Sequence, residues 1–148
     1  MADRAGYEQD YYLWSQEQAN ALRAAARAGA NLPVDWENVA EEIESLGRSD
    51  RREIASRIGT IIEHLLKLQS SPAVEPRAGW ESTIARERQV ISDLLDESPS
   101  LRRDVGSLVQ QQMTKERRLV ARELASRSER LADVPDYTED QILGDWLP

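Results

Sequence analysis

Ile54, Ile58, Ile61, Leu65 and Leu68 follow one another at steps of four, three, four and three. Only an α-helix gathers such a series on one side, because 3.6 residues make a turn and every third or fourth side chain shares a face. Ala55, Ile62 and Leu66 widen the stripe, so this helix needs other helices to cover it. The spacing predicts a helix that starts with Ser49 or Asp50 as its cap and runs to about Gln69.

The rest of the chain repeats the same period. Tyr7, Tyr11, Trp14, Gln18, Leu22 and Ala25 predict a first helix over residues 7–28, stopped by Gly29 and the "NLP" at 31–33. Asp35 is the predicted cap of a short second helix whose inward face is Trp36, Val39, Ala40, Ile43 and Leu46. Gly47 stands where a helix C-terminal glycine belongs. After the loop "SSPAVEP" (70–76), Trp80, Ile84, Ile91, Leu94 and Leu95 mark a fourth helix over 79–97. Ser98 and Pro99 then read as the cap and first residue of a fifth helix, extending to about Arg130, or about 45 Å. Its apolar side is Leu101, Val105, Leu108, Val109, Met113, Leu119 and Val120. Past Val120, "ARELASRSER" is thinly apolar, and that end is expected to fray, protrude or pair with another subunit. Thr138 and Gln141 have capping-box spacing for a last short turn, with Trp146 and Leu147 expected to hold the tail. Alternation and hairpin dipeptides are absent. The expected fold is all-α: one domain over residues 1–148, an antiparallel bundle of four to five helices with a short C-terminal helical turn.

Composition excludes several classes of function. The 148 residues contain no cysteine, which removes disulfides, thiolate nucleophiles and cysteine-held zinc. Nineteen basic against 27 acidic residues leave a formal charge of −8, a field that repels phosphate backbones and disfavours nucleic acid. "MADRAGYEQD" lacks the basic and apolar segments of a secretory leader, and no apolar run approaches the ~20 residues of a membrane span. The expectation is a soluble, cytoplasmic protein with no membrane contact.

"YEQDYYLWSQEQANALR", "DWENVAEEIESLGRSDRREI", "HLLKLQ", "GWESTIARERQVISDLL", "SPSLR" and "YTEDQILGDWLP" together resemble, in order, the bacterial DUF29 family. The resemblance spans nearly the whole chain and implies an all-α fold. It carries over no catalytic residue and no cofactor. At Leu68 the family's usual residue is tryptophan, a change of local packing between two apolar side chains.

Four glutamates, Glu37, Glu41, Glu42 and Glu44, lie within eight positions, and His64 is the sole histidine. At about 100° per residue, Glu37, Glu41 and Glu44 should face water opposite Val39, Ile43 and Leu46, with Glu42 on the flank. His64 lies at the edge of its stripe beside Glu53, Arg57 and Thr60, the place of a hydrogen-bonded structural residue. Glu87 falls between Ile84 and Ile91, and Glu116 falls on the broad face of the fifth helix near Gln112 and Glu123. A carboxylate on a dry face needs a counter-ion or a proton. Pairing with Arg57, Arg88 or Arg117 satisfies that need. The functional alternative brings Glu42, His64, Glu87 and Glu116 together as a polar interior site for a metal or ligand, as in helical-bundle metal centres. The Glu-x-x-His pair of such centres is missing, since Ile61 precedes His64 by three. No nucleophile elbow, phosphate loop, dinucleotide fingerprint or H-E-x-x-H motif occurs. The arginines of 48–52 and 115–130 are interleaved with acids at ion-pair spacing. The leading expectation is a non-catalytic protein-interaction module that binds a protein partner or itself. The alternative is a metal- or ligand-binding bundle, an enzyme included.

Overall fold

Asp10 decides where the first helix begins. In the computed structural model, which describes residues 6–148, its carboxylate accepts the backbone N–H of Leu13 at 2.9 Å and caps α1 (Tyr11–Arg27). Tyr7 therefore sits in a turn before the helix. Residues 1–5, on which part of the leader reading rests, lie outside the described residues. The other helices are α2 (Trp36–Ser70), α3 (Arg77–Glu97), α4 (Val105–Ala125) and α5 (Glu139–Leu143), with a 3-10 helix at Pro99–Asp104. Among the described residues there is no strand, and no helix is long and apolar enough to cross a membrane. The chain divides into two compact units. One holds the residues up to Glu53 together with Leu94–Arg102, the other Ile54–Asp93 together with Arg103–Pro148.

In the first unit, two helices expected over 36–46 and 49–69 are one, because α2 runs unbroken through Gly47. Gly47 is buried and serves as a contact surface. A Cβ added there would lie 2.1 Å from Ser15 Oγ, 3.2 Å from Ser15 Cβ and 3.3 Å from Tyr12 Cδ2. Ser15 of α1 is buried against Gly47, and Ala19 and Ala40, also small, are fully buried. Glycine inside a helix costs roughly 0.5–1 kcal/mol against alanine, less than the clash it prevents.

That close seam also overturns the expected phase of this half of α2. Val39 and Leu46 are exposed, at 39% and 54%. Of the three glutamates expected to face water, Glu37 and Glu41 do, while Glu44 is half-buried. Arg23 of α1 bonds Glu44 and Glu41 and lies 3.9 Å from Glu37. Arg48 bonds the same pair, Glu41 at 2.6 Å and Glu44 at 3.0 Å. The Arg23 and Arg48 guanidiniums hold the Glu44 carboxyl below its usual range.

Ser98 does not cap a following helix. It is buried, and its hydroxyl accepts the Tyr12 N–H at 3.0 Å. Asp10 meanwhile accepts the N–H and the hydroxyl of Ser100 at 2.7 and 2.8 Å. With both side chains drawn to the start of α1, the chain passes through the 3-10 helix before α4 begins at Val105.

The second unit follows the expected period closely. Ile54, Ile58, Ile61, Ile62, Leu65, Leu66 and Leu68 of α2 are buried, as are Ile84 and Ile91 of α3 and Val105, Leu108, Val109, Met113, Val120 and Leu124 of α4. Each such side chain contributes about 1.5–3 kcal/mol on leaving water. Arg57 meets Glu87 across α2 and α3, while Gly59 faces Gln112 and Glu116, and Lys67 meets Glu123. Successive helices therefore reverse direction, and α4 runs alongside α2 in the same sense.

The long fifth helix of the sequence reading is shorter than expected, ending at Ala125. Beyond Leu124 the apolar positions stop, and the chain turns with Ser128 in the left-handed region (φ 59°). The Ser128 and Glu129 N–H groups close on the carbonyls of Ala125 and Leu124, a Schellman arrangement with serine where glycine is usual. The next segment does not protrude as helix. Ser70 Oγ accepts the Ala132 N–H at 2.9 Å, and Arg117 donates to the Val134 carbonyl at 2.7 Å and to Asp136 at 2.8 Å. Tyr137, buried, donates its hydroxyl to Gln69. Thr138 and Gln141 form both arms of the expected capping box. The tail is held chiefly by Arg88, which donates to the carbonyls of Ile142 (2.9 Å), Gln141 (2.7 Å) and Trp146 (2.7 Å). Of the two expected anchors, Trp146 packs its ring 5.7 Å from that of Tyr137, whereas Leu147 is 40% exposed.

Candidate functional site

Glu42 is exposed in the first unit and is no interior residue, which corrects its place in the polar quartet. The reason is the turned phase of α2, which gives the inner side to Ala40, Glu44 and Gly47. His64, Glu87 and Glu116 belong to the second unit. There Glu87 is already matched: Arg57 donates to both its oxygens, at 3.2 and 3.0 Å. Of the three arginines that could have neutralised it, Arg57 does, while Arg88 and Arg117 hold the C-terminal segment.

His64 and Glu116 do share a neighbourhood, on the seam between α2 and α4. His64 Nδ1 lies 2.7 Å from the Thr60 carbonyl and so carries its proton there. That is the structural bond expected of a boundary histidine. Lys67, nearly buried, is the centre of the seam. Burial alone would weaken its hold on its proton, but Glu63 at 2.9 Å and Glu123 at 3.0 Å outweigh that and keep the ammonium charged. Glu116 has its carboxyl raised above the usual range, first by burial and then by Glu63, against the pull of Lys115, Lys67 and His64. Among the described residues no group of three His, Asp or Glu side chains is arranged to hold a metal ion.

The Glu116 shift has a stability consequence with a definite sign. A carboxyl whose folded pKa is raised binds its proton more tightly in the native state. Its favourable contribution is complete below the ordinary value near 4.5 and is lost as pH rises through the folded value. Glu116→Gln is therefore expected to be more stable than the parent at pH 7, with the gap closing as pH falls to 4. Urea unfolding at both values checks this; a variant less stable at pH 7 contradicts it.

A second arrangement lies in the first unit and was not singled out from the sequence. Tyr7, Glu8, Tyr11, Asp50 and Glu97 line a pocket of about 520 Å³. Tyr7 precedes α1, Tyr11 opens it, Asp50 comes from α2, and Glu97 is the last residue of α3. The Tyr7 ring stands edge-on to Tyr11 (5.4 Å between centroids) and to Trp14 (4.9 Å), while Tyr11 and Trp14 lie nearly parallel at 6.0 Å. Such edge and offset contacts contribute about 0.5–1.5 kcal/mol each beyond burial and hold the rings in place. Burial, then Glu97 and Glu53, push the Asp50 carboxyl up. Burial, then Asp50 and Tyr7, push up the Tyr11 hydroxyl. Among the described residues, no lysine or arginine lines the pocket.

The period had assigned Tyr7 and Tyr11 to a core stripe, and Asp50 had read as a helix cap. A usable signal was present nonetheless. The chain has four tyrosines, four tryptophans and no phenylalanine, and three of those eight rings fall at positions 7, 11 and 14.

Residues 7–147 match the family described as "Domain of unknown function DUF29". The chain is also similar to a solved structure described as an alpha-helical protein of unknown function from Rhodospirillum rubrum. The two share 29% identity with a TM-score of 0.75, over 95% of this chain and 90% of that one. No curated protein matches.

Proposed function

Since the chain belongs to the DUF29 family, whose description prescribes no chemistry, we propose that it is a non-catalytic interaction module whose recognition site is the first unit's pocket. One observation carries the reading. The carboxylates of Glu87, Glu63 and Glu123 are matched by Arg57 and Lys67, whereas Asp50 and Glu97 face a pocket with no lysine or arginine among the described residues of its wall. Charge left unmatched in a cleft points outward, to a second molecule. The same unit also exposes Val39 and Leu46, apolar side chains of the kind that interfaces cover. The partner is a protein or a second copy of the chain. The charge of −8 argues against nucleic acid. A cytosolic setting belongs to this reading, and the cysteine-free sequence supports it.

The test compares the parent chain with Asp50→Asn as baits in lysate of the source cells, alongside native mass spectrometry. The expected result is a stoichiometric partner or a homo-oligomer recovered with the parent and depleted with the variant. A monomer that recovers nothing, or recovery equal for both baits, overturns the proposal.

A further inference from the structure

We infer that the pocket formed by Tyr7, Tyr11, Glu8, Asp50 and Glu97 receives an alkylammonium group, a compact organic cation carried on an aliphatic chain. This rests on the reading of the pocket as a recognition site and adds the chemistry of what enters it.

Two independent features of the pocket agree on that class. The first is its aromatic side. Tyr7 and Tyr11 bring rings to the cavity, and both are braced by Trp14. A ring face attracts a cation within about 6 Å through its quadrupole, and the same face packs against methylene groups. The second is charge. Glu8, Asp50 and Glu97 line the cavity with carboxylates and no basic side chain joins them among the described residues, so an anion is repelled and a neutral ligand leaves three acids unmatched. An ammonium satisfies both features, donating to carboxylate oxygens with its head while its chain lies on the rings.

Competing cations fit less well. A hard metal ion needs several oxygens converging at one point, and among the described residues no group of three acids does so. Aromatic rings offer such an ion nothing. The volume of about 520 Å³ takes a chain of several carbons as well as the head, well within the usual range for small-molecule clefts of roughly 300–1,000 Å³. Two sources carry this group: a free amine or diamine, and a lysine side chain presented by a partner.

The direct test titrates the full chain with n-hexylammonium, cadaverine and a lysine-containing peptide, followed by amide NMR shifts and by tryptophan fluorescence. Hexanol and hexanoate serve as neutral and anionic controls. The expected result is saturable binding of the ammonium compounds with shifts centred on residues 7–14, Asp50 and Glu97. Hexanol and hexanoate should leave those signals unmoved. Asp50→Asn and Tyr11→Leu should each weaken binding by about tenfold, which is about 1.4 kcal/mol. Glu42→Gln, an exposed acid of the same unit outside the pocket lining, should bind as the parent does. Asp50→Asn removes a charge that burial disfavours, so its fold is secure if the Tyr11 variant loses stability. Tighter binding of the peptide identifies a partner lysine as the source, and tighter binding of cadaverine identifies a free amine. Equal binding of hexanol, equal weakening by Glu42→Gln, or no saturable shift overturns the inference. If no ammonium binds while partner recovery still depends on Asp50, the inference fails and the interaction reading stands. If ammonium binds but no partner or oligomer is recovered, the interaction reading fails alone.

Discussion

Arg88→Met is expected to lower the unfolding free energy by about 3 kcal/mol and to open the C-terminal segment to proteolysis. In the parent, the guanidinium spreads three donors over three carbonyls, those of Gln141, Ile142 and Trp146. Two of these belong to the last turn of α5, where partial negative charge gathers and a cation is favoured. Charge-assisted bonds contribute roughly 1.5–3 kcal/mol each, but they do not add. Burial disfavours the charged guanidinium, an effect that Asp145 opposes, and the freed carbonyls recover water.

The aliphatic stem is kept by methionine, so the loss reports the donors rather than the packing. Arg88→Lys should recover only part, because a point charge cannot span three acceptors. Urea unfolding with limited proteolysis and mass spectrometry reads both effects. Cleavage confined to residues 126–148 is the expected pattern. An unchanged midpoint, or cleavage first within α1, sinks the assignment.

Gly47→Ala should destabilise the chain by about 2 kcal/mol, within the usual range for overpacking, although alanine is the better helix former. The new methyl would meet Ser15 Oγ at 2.1 Å, and turning that hydroxyl away still leaves Ser15 Cβ at 3.2 Å and Tyr12 at 3.3 Å. Those atoms sit close to the α1 backbone and cannot yield without moving it.

Gly59→Ala is the control. There the nearest atoms are Gln112 Oε1 at 2.6 Å and Glu116 Oε1 at 3.2 Å, the far ends of flexible side chains. Alanine at 59 should be neutral or more stable by up to about 1 kcal/mol from helix propensity alone. Adding Ser15→Ala to Gly47→Ala removes the shortest contact, and a double-mutant cycle should show coupling of about 1 kcal/mol. Strict additivity would mean that Gly47 matters through the helix itself and not through its neighbour.

These two glycines show how far local signals reach. Gly47 looked like a stop because glycine is common after helices, yet Ser15, which demands it, is far away in sequence. Ser98 looked like a cap, and its hydroxyl goes instead to Tyr12, 86 positions earlier. Asp50 looked like a cap and faces a pocket. In each case the local preference amounts to about 1 kcal/mol or less, so one tertiary contact outweighs it. The Ile54–Leu68 stripe behaved otherwise, since burying that many large apolar side chains outweighs any single preference.

The candidate residues divide in the same way. Glu87 was legible as a dry-face acid that needs an arginine, and it has one. His64 was legible as a boundary histidine bonded to its own helix. Glu42 was not, because its position depended on the phase of α2, and that phase follows from α1 packing on Gly47. The pocket acids were not legible at all, since Glu8, Asp50 and Glu97 come from three separate stretches of sequence.

By itself, then, the sequence determined the all-helical class, the buried face of the second half of α2, the extent of α3, and the capping box before α5. All of these follow from spacings within a few residues, where the 3.6-residue turn decides which side chains are neighbours. The tertiary structure alone decided that α2 is unbroken, that its acidic half turns toward Arg23, that Arg88 closes the tail, and that three acids and two tyrosines share a pocket. Those outcomes join residues up to 90 positions apart, and over such separations a sequence states what each side chain needs, while only packing selects which partner supplies it.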